Sequence, residues 1–441
     1  MLHKMQSRYS SINVDRIKNE GLCTGCGTCV SMCPYNAIEM NRSIDGVYLP
    51  NVDYEKCNRQ CKGFCVKVCP SYSLDLNKLN KFVFGKIPED VSLGSYNSCY
   101  IGHSSSKELR WNSSSGGIVT SLLIFALEEG IIDGALVTRM KEYNPLEPEV
   151  ILARTKNQII SASKSKYCPV PVNVALKKIL KENGRFAIVG LPCHIQGVRK
   201  AEMLNKELKE KIVLHIGLFC THNVSFLATE LLLEKMGIRK ENVAAISYRG
   251  KGWPGETSVR LKSGREISVK PYTKYWDCVL GNFLFTPIRC TLCADMLTEL
   301  SDISCGDAWL PELKGDKIGT SIIIARTKTG EELLHSAKSK GKIEIANINA
   351  KKVEQSQFFS LKFKKKALAA HIFLLKLFGK SAPYINPKPS PSGFASYLIA
   401  AIVYLNIYMS SKERTRVLLR YIPFPLLRLF FRSCLMVLTI V

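Results

Sequence analysis

Residues 23–34 place Cys23, Cys26, Cys29 and Cys33 in a C-x2-C-x2-C-x3-C-P run closed by Pro34. Three thiolates at this spacing wrap one 4Fe-4S cubane, and the fourth, turned away by the proline, reaches a second cluster. One such motif therefore calls for another. Cys57, Cys61, Cys65 and Cys69 supply it before Pro70, with the same C-x3-C-P ending but three residues between each of the first three Cys. Cross-ligation then gives Cys23, Cys26, Cys29 and Cys69 to one cluster, and Cys57, Cys61, Cys65 and Cys33 to the other. Zinc sites favour separated Cys pairs, and a disulfide framework goes with a secretory signal, of which the sequence shows no sign. Electron transfer is the chemistry these eight residues indicate.

A second constellation lies far downstream. Cys193 follows the apolar run 186–190 and Cys220 follows the apolar run 212–219, so each sits just past the end of an expected strand. Ligands collect at the carboxyl ends of strands in α/β sheets, and Cys290 and Cys293, a C-x2-C pair, complete a set of four. This set predicts a third 4Fe-4S cluster on Cys193, Cys220, Cys290 and Cys293, with zinc as the competing occupant and Cys305 as a fifth contender for the four places. Cys99, Cys168, Cys278 and Cys434 read as ordinary buried residues.

The elements that must position these groups are an alternation of strand-length apolar runs, at 134–138, 150–154, 186–190, 212–219, 243–248 and 320–326, with helical stretches at 172–182 and 225–236. Alternation of this kind predicts an α/β (α+β) catalytic domain around a central sheet. A small ferredoxin-like domain at residues 1–80 precedes it, the redox domain runs over 95–345, and a helical, basic and apolar tail follows at 346–441. Pro383, Pro387, Pro389 and Pro391 mark a linker within that tail. The formal charge is +25, but residues 351–441 carry 15 Lys and Arg against two Glu, so about half of the excess belongs to the tail. Elsewhere basic and acidic residues are interspersed and no aromatic RNA-binding pattern or helix-turn-helix is present, which excludes nucleic acid as the expected partner. Seventeen Cys without a signal segment suit a reducing cytoplasm.

Asn112, Ser113, Ser114, Ser115, Gly116 and Gly117 precede an apolar helical run that stops at Gly130. The Ser and Asn side chains are expected to cap that helix. Free N–H groups, a positive dipole end and two residues without Cβ also suit an anion such as a flavin pyrophosphate at Ser115, Gly116 and Gly117, an ordinary cap being the alternative. Lys166 and Tyr167 can add a cation and a stacking face. No G-x-G-x-x-G run supports a nicotinamide site. His194, His215 and His222 lie near the redox edge, where a structural hydrogen bond is the expected role and proton transfer the alternative.

Taken in order, the ferredoxin motifs, residues 113–117, Ser165 to Tyr167, Gly190 to Gly197, Gly217 to Cys220, Cys290 to Cys293 and Asp302 to Asp307 resemble the β-subunit family of hydrogenases and dehydrogenases that use coenzyme F-420, an 8-hydroxy-5-deazaflavin. The resemblance covers roughly residues 20–330. It implies an FAD beside a 4Fe-4S cluster in the α/β domain. It further implies hydride exchange with coenzyme F-420 or another small organic substrate, and one-electron transfer to a redox protein such as ferredoxin or a partner oxidoreductase subunit. The wide spacing from Cys57 to Cys65 and the long tail depart from a simple hydrogenase subunit. A polyferredoxin-like electron-transfer subunit without a substrate site is the rival expectation, and a family member reducing an intermediate of surface-polysaccharide metabolism is a further one.

The tail itself has no charged residue over 389–411, and residues 394–409 are largely apolar but interrupted, a marginal length for a span. Residues 421–441 interleave apolar residues with Arg428 and Arg432, and Lys362 to Lys366 form a cationic cluster upstream. This pattern predicts peripheral attachment to an anionic membrane surface on the cytoplasmic face, with a helical cap packed on the main domain as the alternative.

Overall fold

The computed structural model describes residues 13–423 and 426. Cys434 and nearly all of residues 424–441, including Arg428 and Arg432, lie outside the described residues.

The N-terminal segment wraps its two Cys motifs around a hairpin of β1 (Ile38–Arg42) and β2 (Tyr48–Val52). Short helices at Thr28–Ser31 and Phe64–Lys67 each follow a left-handed glycine and carry the third Cys of each motif, Cys29 and Cys65. A three-residue strand, β3 (Ser73–Asp75), ends this part.

The central sheet has eight strands, β4 (Ser98–Ser104), β5 (Gly134–Met140), β6 (Pro148–Ala153), β7 (Phe186–Gly190), β8 (Ile212–Leu218), β12 (Ile303–Asp307), β13 (Ser321–Ala325) and β14 (Ile343–Ile348). Their order is β14-β4-β13-β12-β8-β7-β5-β6. β5, β7, β8 and β12 run parallel in the middle, and antiparallel strands flank them on both sides. The central strands are almost continuously apolar, as strands covered on both faces must be, and β13 is buried at every position. β9 (Val243–Ser247), expected in this sheet, instead joins β10 (Thr257–Leu261) and β11 (Glu266–Val269) in a separate three-stranded meander.

Seven helices matter for the site and the surface: α1 (Ile118–Glu128), α2 (Pro192–Glu202), α3 (Phe226–Lys235), α4 (Thr273–Leu280), α5 (Leu368–Leu377), α6 (Phe394–Ser411) and α7 (Glu413–Tyr421). α1 is apolar around nearly its whole circumference and sits in the main core with Tyr100, Ile216 and Ile323.

The tail packs on the rest of the chain. Leu375 of α5 enters the core of the ferredoxin-like segment beside Cys29 and Cys65, Val403 and Ile407 of α6 pack with Phe283, and Leu419 of α7 joins the core built on α3 and α4. Residues 383–391 are more than the expected linker, because β15 (Tyr384–Asn386) pairs in parallel with β3. Pro387, Pro389 and Pro391 lack the N–H that a longer strand needs, so pairing stops there.

Candidate functional site

β7 and β8 are adjacent and parallel, so their carboxyl ends deliver Cys193 and Cys220 to one edge of the sheet. Pro192 opens α2, and Cys193 occupies its first turn. Cys290, in a one-turn helix at Ile288–Thr291, and Cys293 just after it come to the same edge. Cys193 has Cys26, Cys220, Cys290 and Cys293 as electrostatic neighbours, and Cys220 has Cys290 and Cys293. Cys305 is not among the charges that influence Cys193 or Cys220. It lies in the main core on β12, where burial alone pushes its thiol up to about 12 and no other Cys influences it.

The eight N-terminal Cys lie close together in two groups that touch through Cys29 and Cys65. Cys23 neighbours Cys69 and Cys26, and Cys29 neighbours Cys26, Cys23, Cys69 and also Cys65. In the other group Cys65 neighbours Cys61, Cys33 and Cys57. Among the described residues no three His, Cys, Asp or Glu side chains gather closely enough to hold one metal ion. Burial, together with neighbouring thiols, raises Cys23, Cys29 and Cys193 above the usual thiol range, and a cationic centre among them would offset this. The donor sets fit iron-sulfur clusters.

The first and third groups adjoin. Asn173 N–H donates to the Cys26 carbonyl at 2.9 Å, and its side-chain amide donates to Thr28 Oγ1 at 2.8 Å and to the His194 carbonyl at 2.9 Å. Ser31 Oγ donates to the Asn173 carbonyl. Gly197 of α2 faces Thr28 so closely that a Cβ there would lie 2.2 Å from Thr28 Oγ1. Neither Asn173 nor Thr28 stands out in the sequence, since their partners are about 20 to 145 residues away.

A cavity of about 790 Å³ reaches the third group through Cys220 at the carboxyl ends of the parallel strands, with Gly190, Leu191 and Cys305 also in its wall. Ser115, Gly117, Lys166 and Tyr167 also line it. Gly116 does not contribute to the lining. Its amide donates to Ser321 Oγ at 3.0 Å, and a Cβ on it would lie 2.6 Å from the Gly102 carbonyl, so this glycine serves a crossing of backbones. Gly117 caps α1 at a φ of +77°, and no side chain caps the helix, contrary to expectation. Ser113 Oγ donates to the Leu109 carbonyl, Ser115 Oγ to that of Thr320, and Ser114 Oγ accepts from Ser165 N–H. The serines are occupied, which leaves the first turn of α1, with Ile118 and Val119, facing the cavity.

Lys166 Nζ donates to the carbonyls of Ala162, Ser163 and Lys164 at 2.5 to 2.9 Å, and burial lowers its pKa to about 7. Tyr167 lies in an aromatic group with Tyr272 and Trp276. His194 has the expected structural role, with Nδ1 accepting from Leu191 N–H and Nε2 beside the Val170 carbonyl, and burial lowers its pKa to about 4. His215 is clasped between Glu202 and Asp302. His222 differs from expectation. It lines the cavity, stacks on Phe283 at 4.2 Å, and neither ring nitrogen has a hydrogen-bond partner. Two orphaned nitrogens in a cavity wall fit a site shaped for a polar group.

The Lys362–Lys366 run is not the outward cationic cluster that composition suggests. It forms a π-helical turn in which Lys364 is buried and donates to the Cys290 carbonyl at 2.6 Å, while Lys365 pairs with Glu299. Lys362 alone of these three lines the cavity, whose far wall includes Phe358, Phe359, Phe363 and Ile399.

A chain with three cysteine groups in sequence and a large cavity on the innermost one is an iron-sulfur oxidoreductase. Residues 99–177 and 183–351 match the N-terminal and C-terminal profiles of coenzyme F420 hydrogenase/dehydrogenase, beta subunit, and residues 22–80 match a 4Fe-4S dicluster domain. The chain belongs to that beta-subunit family and carries a 4Fe-4S dicluster domain at its N-terminus.

Among its relatives is the coenzyme F420 hydrogenase subunit beta of Methanothermobacter thermautotrophicus, 29% identical over 309 residues, with 66% of this chain and 99% of that protein covered. The coenzyme F420-dependent sulfite reductase of Methanocaldococcus jannaschii is 27% identical over 368 residues, covering 80% of this chain and 51% of that protein. A chain of the F420-reducing NiFe hydrogenase complex from Methanosarcina barkeri superimposes with a TM-score of 0.52 at 27% identity, covering 68% of this chain and 99% of that one.

Proposed function

We propose that this protein exchanges electrons between a planar organic partner, coenzyme F420 or a related small molecule, and a one-electron protein carrier, using FAD in the cavity and three 4Fe-4S clusters. The observation that carries the reading is the 790 Å³ cavity opening on Cys220, in a group whose Cys193 adjoins Cys26 of the dicluster domain. FAD supplies the conversion, since a flavin accepts two electrons together and releases them singly.

In this reading Cys193, Cys220, Cys290 and Cys293 hold the innermost cluster. Cys23, Cys26, Cys29 and Cys69 hold the next, and Cys33, Cys57, Cys61 and Cys65 the outermost. The outermost group includes the partly exposed Cys57 and Cys61, where ferredoxin or a partner oxidoreductase subunit can dock. The uncapped first turn of α1, beside Ser115 and Gly117, receives the flavin pyrophosphate, and Tyr167 closes the cavity at its aromatic side. Lys166 acts indirectly, by holding the loop of Ala162 to Lys164. A substrate different from that named for the relatives is favoured by one observation: Phe358, Phe359 and Lys362 at the cavity wall lie beyond residue 351, where the family match ends.

Anaerobically purified protein is expected to carry about one FAD per chain, released by acid and identified by chromatography. Full iron content without any flavin would instead indicate an electron-transfer subunit with no substrate site.

Lys364 gives a further expected result. Burial raises Cys220 and Cys290, and Lys364 is the largest influence opposing it. Lys364→Met should therefore lower the innermost cluster's midpoint potential by on the order of 60 mV, one tenfold step for a single electron, while Lys364→Arg stays near wild type. Redox titration followed by electron paramagnetic resonance checks this, and an unshifted potential in the Met variant contradicts it.

A further inference from the structure

α6 inverts the usual arrangement of a surface helix. Phe394, Leu398, Ala401, Leu405 and Tyr408 recur at helical spacing on its outer face, with Phe394 88%, Leu405 56% and Tyr408 58% exposed. No charged residue occurs over 389–411, although a water-facing stripe ordinarily carries charge. The inner face is fixed to the body. Asn406 donates to the Asn282 carbonyl at 3.1 Å and Ser410 Oγ accepts from Phe285 N–H at 2.7 Å, beside the Val403 and Ile407 contacts with Phe283. α6 is long and apolar enough to cross a membrane, but with a third of it buried and two of its polar side chains bonded to the body it lies along the protein.

The apolar face continues onto α5. Phe373 meets Tyr397 edge-on at 5.5 Å, and Leu377 is 68% exposed. Exposed Lys376, Lys380, Lys412 and Arg414 and half-buried Arg416 lie on or next to the ends of α5, α6 and α7, against Glu413 as the one acid between residues 355 and 441. Interface cores between proteins are depleted of charge and their rims carry both signs, whereas a rim of almost one sign around an apolar face matches anionic lipid.

We propose that the outer face of α5 and α6, with its rim of Lys and Arg, docks in the plane of an anionic membrane surface. The apolar stripe, about 21 Å long from Phe394 to Tyr408 at 1.5 Å per residue, enters the headgroup and acyl boundary, and the cations meet the headgroups. Electron transfer by the clusters does not depend on this attachment.

Sedimentation with vesicles tests it. Full-length protein should bind phosphatidylserine-containing vesicles at low salt, with affinity at least about tenfold weaker for pure phosphatidylcholine and similarly reduced at high salt, because headgroup attraction is screened. Leu398→Asp combined with Leu405→Asp, both at exposed positions, should lose binding about tenfold or more while keeping wild-type iron content and melting temperature. Lys376→Glu with Lys412→Glu should weaken binding to anionic vesicles only. Binding that ignores lipid charge, binding that survives the Asp pair, or no binding at low salt would each overturn the proposal. In the last case, appearance of a dimer or capture of a partner oxidoreductase subunit would identify a protein as the occupant.

Discussion

Changing Cys290 and Cys293 together to Ser lowers bound iron by about four atoms per chain, from about 12 to about 8, because one cubane loses half of its thiolates. The expectation follows from proximity: both Cys neighbour Cys193 and Cys220, and neither influences the N-terminal groups of Cys23, Cys29 or Cys65. Iron analysis of the purified variant, with the absorption of the remaining clusters as a folding control, gives the count. Iron unchanged from wild type would remove the third cluster.

The second large effect is on stability. Asp302 Oδ2 accepts from His215 N–H at 2.7 Å and lies 3.0 Å from His215 Nδ1, and Asp302 Oδ1 accepts from Thr327 at 2.9 Å. Glu202 lies 2.7 Å from His215 Nε2 and accepts from Arg199 at 3.1 Å. This buried group ties α2, which carries Cys193 in its first turn, to β8, the strand that ends two residues before Cys220. Asp302→Ala leaves His215, Arg199 and Thr327 short of a partner and should cost about 3–5 kcal/mol, read from urea unfolding.

The pH dependence has a definite sign. Burial would raise Asp302, but Arg199 and His215 outweigh it and hold the carboxyl below its usual range. Its contribution is present above the unfolded value of about 3.9 and lost as pH falls through the folded one. Burial and Arg199 pull His215 down, yet Glu202 and Asp302 raise it on balance, so its contribution is full below about pH 6.5 and fades as pH rises through the raised value. Stability measured from pH 5 to 9 should therefore decline less steeply on the alkaline side in Asp302→Ala than in wild type. Parallel profiles, offset by a constant, would show that Asp302 does not govern His215.

The cysteine motifs were legible because ligand spacing within each is a local property, and the third group because two apolar runs each end one to three residues before a Cys. Strand β14 was not. Its inner positions Ile343 and Ile345 alternate with exposed Glu344 and Ala346 at the sheet's edge, a signal too short to separate from a loop. A run of five residues with four Lys reads as solvated, and nothing local shows that Lys364 turns inward while Lys366 stays exposed. Gly116 beside Gly117 suggested room for a ligand, but only the fold reveals that the Gly102 carbonyl crosses there. Asn173 likewise has no local mark, since its importance lies in joining two motifs distant in sequence.

The central claim is that electrons entering at the cavity leave through the innermost cluster and then the dicluster domain. Anaerobic mixing of the purified protein with reduced coenzyme F420 or another reduced deazaflavin, followed optically, tests it most directly. The account predicts that deazaflavin oxidation and cluster bleaching proceed together in wild type, at one deazaflavin per two clusters reduced. In the Cys290→Ser, Cys293→Ser variant the N-terminal clusters should bleach at least about a hundredfold more slowly while still accepting electrons from dithionite. Bleaching of those clusters by deazaflavin at an unchanged rate in the variant would contradict it.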